Sequence, residues 1–336
     1  MDRADAGWGA AAGDSDEVLL RGRMKMAEQD SSRKLTHADA LVVAAVCLLL
    51  IFLAPVLFAK PREQSMRRLC AANLAQIGKA MFIYAGDYAG KLPRAGGPTT
   101  SWGSTPNWFA RDRRQAFGLA ADGSGGSASI NSSFYLLVRY LQMPPRIFIC
   151  KADKGAIELR PAIREDGRPA FQFADVWDFG GSTESTRHCS YAYHMPYGLF
   201  GLSTSGDPNL GVAADRNPWI VSPAGKPGIF TDFKPDLPPY PEGPKHGRCI
   251  ECARRGNSIT HQLDGQNVLF LDGRVAFETR AYCGLQKDNI YTVSRDPVQG
   301  DPWGTVPYVP TAYPANRQDS LLLHDPDGPF QGPPSR

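Results

Sequence analysis

The sequence predicts an α+β protein in which one long N-terminal helix packs on an antiparallel β-sheet with long loops. Three observations predict this fold. Residues 41–59 carry no charged side chain, an apolar stripe at helical spacing follows over 61–92, and short β-rich runs with turn signals come later. The chain of 336 residues also holds 34 glycines and 28 prolines, which favours long loops.

The apolar run from Leu41 to Ala59 is long enough for a membrane helix. A helix over this run would measure about 28 Å, close to the hydrocarbon thickness of a bilayer. We therefore predict a single transmembrane helix over 38–60. The small, polar and charged residues 1–37 predict a disordered cytoplasmic tail.

An amphipathic helix is predicted to follow over 61–92, ending at Gly90 and Pro93. Its apolar positions recur at spacings of four and three residues, which places them on one face: Cys70, Leu74, Ile77, Met81, Tyr84 and Tyr88. Polar residues between them suit the opposite, solvated face: Arg67, Arg68, Asn73, Gln76 and Lys79.

Residues 93–296 are predicted to form a β-rich globular domain, and the proline-rich residues 297–336 an extended, largely disordered tail. The clearest local signal is a hairpin, in which 267–271 and 274–277 are joined by the two-residue loop Asp272-Gly273. Strand alternation then places two side chains on each face of the sheet, Val268 and Phe270 on one, and Leu269 and Leu271 on the other.

All cysteines except Cys47 follow the apolar run. This asymmetry favours an oxidising compartment on that side of the membrane, with up to three disulfides of open connectivity. The candidates are Cys70, Cys150, Cys189, Cys249, Cys252 and Cys283.

A zinc site is the alternative for part of this set. His246, Cys249, Cys252 and His261 have a spacing that suits tetrahedral zinc, because a Cys-x2-Cys turn lets both thiolates face one ion. Zinc is the one cofactor that the sequence suggests. An oxidising compartment favours disulfides instead.

Charge and motifs exclude several function classes. The net charge of +3 is small and the basic residues are scattered, which argues against a nucleic-acid partner. The chain has no G-x-S-x-G, H-E-x-x-H or P-loop pattern. We therefore predict a protein that is not an enzyme, with no catalytic residues.

The start of the apolar run resembles that of type IV pilins and type II secretion pseudopilins. In that family a cleavage glycine precedes an aromatic residue and a Thr, and a Glu follows three residues after the Thr. Here Thr36 matches, Leu35 and Asp39 replace the aromatic residue and the Glu, and Lys34 stands in place of the glycine. The resemblance implies an assembly role for Thr36 and Asp39. The alternative for Asp39 is to cap the helix at the membrane surface.

The segment CAANLAQIGKAMFIYAGDYAGKLP resembles that of a bacterial subgroup with a prepilin-type H-x9-DG motif. His261 and Asp272-Gly273 resemble the motif itself, with one additional residue between them. The Asp272-Gly273 pair is explained by the hairpin turn that it forms. We expect His261 to hydrogen-bond back onto that turn, with metal or ligand contact as the alternative.

The resemblance implies a pilin-like fold and a membrane-anchored, pseudopilin-like function. The chain would be a subunit of a type II secretion or pilus-like assembly, or an anchored surface domain. It would sit in the bacterial inner membrane with its N-terminus cytoplasmic and its C-terminal domain periplasmic. Its partners would be the membrane, and other pilin-like subunits or secretion machinery. The alternative is a metal- or ligand-binding domain that uses the helix only as a tether.

Overall fold

The structure is a computed structural model that describes residues 36–181, 184–238 and 248–330, with the helical backbone alone for 52–60. It combines helices with a five-stranded antiparallel sheet, so the α+β prediction is confirmed. The chain forms two compact units, one up to Pro61 and one from Arg62 onward. The predicted cytoplasmic tail falls outside the described residues, except for its last two positions.

Helix α1 runs from His37 to Asp87. Its first turn is closed by a reciprocal pair of hydrogen bonds. The Asp39 carboxylate accepts from the Thr36 backbone N–H at 3.0 Å and from its hydroxyl at 2.8 Å, while the Asp39 N–H donates to Thr36 Oγ1 at 3.2 Å. This is a capping box, in which each residue satisfies a free backbone group of the other. Asp39 therefore caps its own helix.

The predicted membrane span over 38–60 includes nine residues whose side chains the structure does not describe. Across the described residues, no helix combines the length and apolar character that a membrane crossing requires.

In the second unit, α1 buries the predicted apolar stripe. Cys70, Leu74, Ile77, Met81 and Tyr84 are all at most 3% exposed, which confirms the helical periodicity. Tyr88 lies just beyond the helix and is 39% exposed. The helix ends as the Gly90 N–H bonds back to the carbonyl of Ala85 at 2.8 Å.

The remaining helices and strands lie within the second unit. They are β1 (Ser101–Trp102), α2 (Arg113–Phe117), β2 (Ser127–Ala128), α3 (Ile130–Leu141), β3 (Tyr191–His194), β4 (Gly211–Asp215), α4 (Ile250–Arg254), β5 (Gln266–Phe270), β6 (Val275–Glu278) and β7 (Leu322–Leu323). Strands β1 and β2 form a short parallel pair. The main sheet has the order β6-β5-β4-β3-β7, with every neighbour antiparallel.

Both faces of the main sheet are covered, as the alternation in β5 predicts. Leu269 and Leu271 belong to the core that includes the α1 stripe and α3. Val268 and Phe270 belong to a second core on the opposite face, which is built largely from loop residues such as Tyr291. The helix therefore packs on one face of the sheet, and loops cover the other.

The predicted hairpin between β5 and β6 is confirmed, with one additional residue in its loop. The Phe270 N–H bonds to the Arg274 carbonyl at 3.0 Å, and the Gly273 N–H bonds to the Phe270 carbonyl at 2.9 Å. The loop is thus Leu271-Asp272-Gly273, with Gly273 at φ +87. A three-residue loop requires a left-handed residue at its third position, where glycine has no steric cost.

The proline-rich C-terminal segment is not a disordered tail over 297–330, so that expectation is wrong. Strand β7 in this segment forms an edge of the main sheet by pairing with β3. Asp319, Ser320 and His324 beside it are fully buried. Composition was misleading because the prolines lie in connections around a short apolar run, SLLL, that completes the core. The globular part therefore extends beyond 93–296 in both directions.

Candidate functional site

His261 lies at the centre of a buried polar cluster between α1 and the sheet. It ends a short 3-10 helix, Ile259–His261, and is fully buried. Its Nδ1 is 2.8 Å from Oε1 of Glu63 on α1. Its Nε2 faces Nδ2 of Asn267 at 3.3 Å and Oδ2 of Asp215 at 3.5 Å. Nδ1 therefore donates to the Glu63 carboxylate, and Nε2 accepts from the Asn267 amide.

A disulfide borders this cluster. Cys70 on α1 is bonded to Cys150, and the Cys150 sulfur lies 3.8 Å from Nε2 of His261. Both cysteines are fully buried. The disulfide and the Glu63–His261 hydrogen bond therefore join the same helix to the domain within two turns of each other.

Asp215 brings a carboxylate into the cluster from the end of β4. Its Oδ2 accepts the backbone N–H of Asn267 at 2.7 Å, whereas its Oδ1 is buried without a hydrogen-bond partner. Burial raises the pKa of Asp215, and the nearby His261 and the Asn267 N–H oppose that rise. The cluster thus holds one carboxylate oxygen whose hydrogen-bonding capacity is unused.

A metal ion is one conceivable occupant of this cluster. Cys70, Cys150, Asp215 and His261 each offer a ligand atom, and these atoms lie within 4.8 Å of one another. Zinc requires deprotonated thiols, and the two sulfurs are bonded to each other. The residues therefore fit a metal only after reduction of the disulfide.

The zinc set predicted from the sequence is not brought together by the described residues. Cys249 and Cys252 form a second disulfide across the N-terminus of α4. His261 lies instead beside Cys70 and Cys150. His246 falls outside the described residues.

The remaining cysteines are free, so the predicted maximum of three disulfides is not reached. Cys189 is buried and Cys283 is half-buried, while Cys47 on α1 is exposed. Burial raises the pKa of the Cys189 thiol to about 12, which makes it a poor nucleophile at neutral pH.

The two halves of the motif that resembles H-x9-DG lie at opposite ends of β5, and each approaches α1. His261 bonds to Glu63 rather than to the turn, so the expected contact with the turn is wrong. A Cβ on Gly273 would lie 3.3 Å from the ring of Phe82. The two contacts are separated by about 28 Å along the helix, from residue 63 to residue 82. The motif therefore lies close to the helix at two points, and at one of them His261 is hydrogen-bonded to it.

Three further residues of α1 contact the domain between these points. Gly78 packs so closely on β5 that a Cβ there would meet Leu269 Cδ1 at 2.8 Å. The Asn73 amide donates to the carbonyl of Ile149 at 3.0 Å, next to the disulfide. Arg67 pairs with Asp264 at 2.6 Å. Asn73 and Arg67 were predicted to lie on the solvated face of the helix, but both contact the domain. No pattern in the sequence marks Glu63 as a contact residue.

The chain was compared with family models, with curated proteins and with solved structures, and none of these comparisons found a match.

Proposed function

We propose that the chain is a non-enzymatic, membrane-anchored subunit with a pilin-like helix. One observation supports this above the others: the first unit exposes a continuous set of large apolar side chains. These side chains are 49–71% exposed, and they are Leu41, Val42, Val43, Val46, Leu48, Leu49, Leu50 and Ile51. Apolar surface in water costs about 25 cal/mol per Å², so such a helix needs lipid or another subunit around it.

The second unit supports the proposal through the attachment of its domain to the same helix. A disulfide, the Glu63–His261 hydrogen bond and the Asn73–Ile149 hydrogen bond all join α1 to the domain. In a subunit anchored by its helix, these bonds keep the domain attached to the anchor. A domain held by packing alone would separate from the helix more easily.

Cys47 allows a direct test. It is a free and exposed cysteine within the apolar part of α1. We expect the full chain to be recovered in the membrane fraction, and mild oxidation there to cross-link copies through Cys47. Cys47→Ser should abolish the cross-link and leave the membrane recovery unchanged.

Two variants at the helix start separate assembly from helix capping. Asp39→Ala and Thr36→Ala both break the capping box. If the Asp39 carboxylate pairs with a neighbouring subunit, Asp39→Ala should reduce cross-linking well beyond Thr36→Ala. Equal effects would assign Asp39 to capping alone. Membrane recovery without any cross-link would indicate an anchored surface domain, and recovery of the full chain in the soluble fraction would contradict anchoring.

A metal-binding domain on a tether is the second candidate, and the cluster of Cys70, Cys150, Asp215 and His261 favours it. Its test is zinc binding by the full chain before and after reduction. Zinc bound only after reduction, and lost in His261→Ala, would support it. No binding in either state would eliminate it.

A further inference from the structure

A cavity of about 660 Å³ opens at the C-terminal end of α1, in the second unit. Its walls come from the end of the helix, the loop 89–98, the start of α2, Tyr193 on β3, and the loop 196–203. Cavities of this volume hold small organic ligands. The anchoring function proposed above makes no use of it.

Two arginines line this cavity without a carboxylate partner among the described residues. Arg113 donates from Nε to the Gly96 carbonyl and from Nη2 to the Arg94 carbonyl, both at 2.8 Å. Arg94 donates from Nη2 to the Pro98 carbonyl at 2.6 Å. Both guanidinium groups are therefore held in place by neutral backbone oxygens, which leave their charges uncompensated.

Arg94 also has an unused donor. Its Nε is buried and lacks a hydrogen-bond partner. Burial lowers the pKa of Arg94, and the nearby charge of Arg113 acts in the same direction. This Nε is sealed from solvent, so a molecule in the cavity can reach the Arg94 guanidinium only through its Nη groups, whose bond to Pro98 is exposed.

The charge balance of the lining favours an anion. Lys91 adds a third cation to the two arginines, and Asp87 is the one acidic residue among the lining residues that the structure describes. Neither Lys91 nor Asp87 forms an ion pair within the described part of the chain. The surplus positive charge would both attract and orient a negatively charged group.

The remaining walls are apolar and aromatic. Tyr84 and Tyr88 stack with ring centroids 4.0 Å apart and planes 8° from parallel. Leu92, Pro93 and Leu202 continue this surface. The two rings cover one face of each other, and the aromatic and aliphatic atoms that line the cavity suit the apolar body of an aromatic ligand.

We infer that this cavity binds a small organic carboxylate with an aromatic body. Its carboxylate pairs with the Arg94 guanidinium beside Arg113, and its ring packs against Tyr84 and Tyr88. A carboxylate supplies the negative charge that these two guanidinium groups lack, at a smaller desolvation cost than a dianionic phosphate.

The test is a ligand-observed NMR titration of the full chain with naphthalene-2-acetate and with its neutral amide. For a probe of this size, we expect a dissociation constant on the order of 0.1–1 mM for the acetate. The amide should bind at least about tenfold more weakly, because a charge-assisted hydrogen bond is worth about 1.5–3 kcal/mol.

Substitutions of Arg94 test whether this residue causes the tighter binding of the acetate. Arg94→Gln should weaken acetate binding by about tenfold or more and leave amide binding unchanged. Arg168→Gln is the matched control, because Arg168 is exposed and lies outside the cavity lining. Arg94→Lys should retain part of the affinity, since it keeps the charge but not the planar fork.

Three results would overturn the inference: no acetate binding, equal binding of acetate and amide, or wild-type acetate affinity in a folded Arg94→Gln variant. If Arg94→Gln fails to fold, the comparison of acetate with amide on the unmodified chain still shows whether binding requires the carboxylate.

Discussion

The Glu63 carboxylate on α1 accepts a hydrogen bond from Nδ1 of the fully buried His261, 198 residues further along the chain. The histidine of the motif is thus bound to the helix and not to the turn that follows it. Its other nitrogen faces Asn267 and Asp215 at the sheet. His261 therefore links the helix to the centre of the sheet through a single imidazole.

A double-mutant cycle on Glu63 and His261 would measure this link. We expect His261→Ala to lower the free energy of unfolding by about 2–4 kcal/mol, because it leaves a cavity and unpaired polar groups. The two alanine substitutions should be coupled by about 1–2 kcal/mol in denaturant unfolding. Additivity within about 0.5 kcal/mol would show that the hydrogen bond contributes little.

The two disulfides should differ in their effect on stability. The Cys70–Cys150 bond closes a loop with a sequence separation of 80, and the Cys249–Cys252 bond one of 3. The chain-entropy model assigns about 4.5 kcal/mol to the first and about 2 kcal/mol to the second. Replacing each pair with alanines should reproduce this order in denaturant midpoints. The reverse order would show that packing, and not loop closure, dominates.

Two glycines of α1 form a matched pair. A Cβ on Gly78 would meet Leu269 at 2.8 Å, whereas one on Gly86 would meet nothing within 4 Å. Gly86→Ala should raise the free energy of unfolding by about 0.5–1 kcal/mol, because alanine favours the helix. Gly78→Ala gains the same propensity but overpacks the core, at a cost of about 1–3 kcal/mol. Thermal unfolding should therefore shift in opposite directions, and a stabilising Gly78→Ala would contradict the close approach of β5.

The buried Asp178 should impose a pH dependence on stability. Burial raises the pKa of Asp178 to about 7, and the charge of Asp325 adds to the rise. The folded state therefore holds a proton on Asp178 between about pH 4 and 7, where the unfolded state has released it. For this group the free energy of unfolding falls as pH rises through that window, by up to about 4 kcal/mol, and is constant above it.

Asp178→Asn should remove this slope. The comparison is made as the difference from the unmodified chain, because other buried groups titrate nearby: His194 and His324 have lowered pKa values, and Asp319 has one raised to about 6. Asp122→Asn is the control, since Asp122 is exposed and its pKa is lowered by hydrogen bonds from Ser124. A slope that is the same in both variants would show that Asp178 is ionised in the folded state.

Local patterns were sufficient for several elements. The apolar stripe of α1 was visible because a helix repeats every 3.6 residues, so Cys70, Leu74 and Ile77 had to share a face. The β5–β6 hairpin was visible because Asp-Gly favours a tight turn, and alternation assigned Leu269 and Val268 to opposite faces. These features depend on residues within a few positions of each other.

The partners of the buried polar groups were decided by the tertiary structure alone. Glu63 is hydrogen-bonded to His261, and Cys70 is bonded to Cys150. Arg94 and Arg113 line the same cavity. No local sequence pattern indicates any of these three pairs. The proline-rich segment joined the sheet for the same reason: a strand of two residues is stable only beside β3. Periodicity shows which face of an element is buried, but what lies against that face depends on the packing of the whole chain.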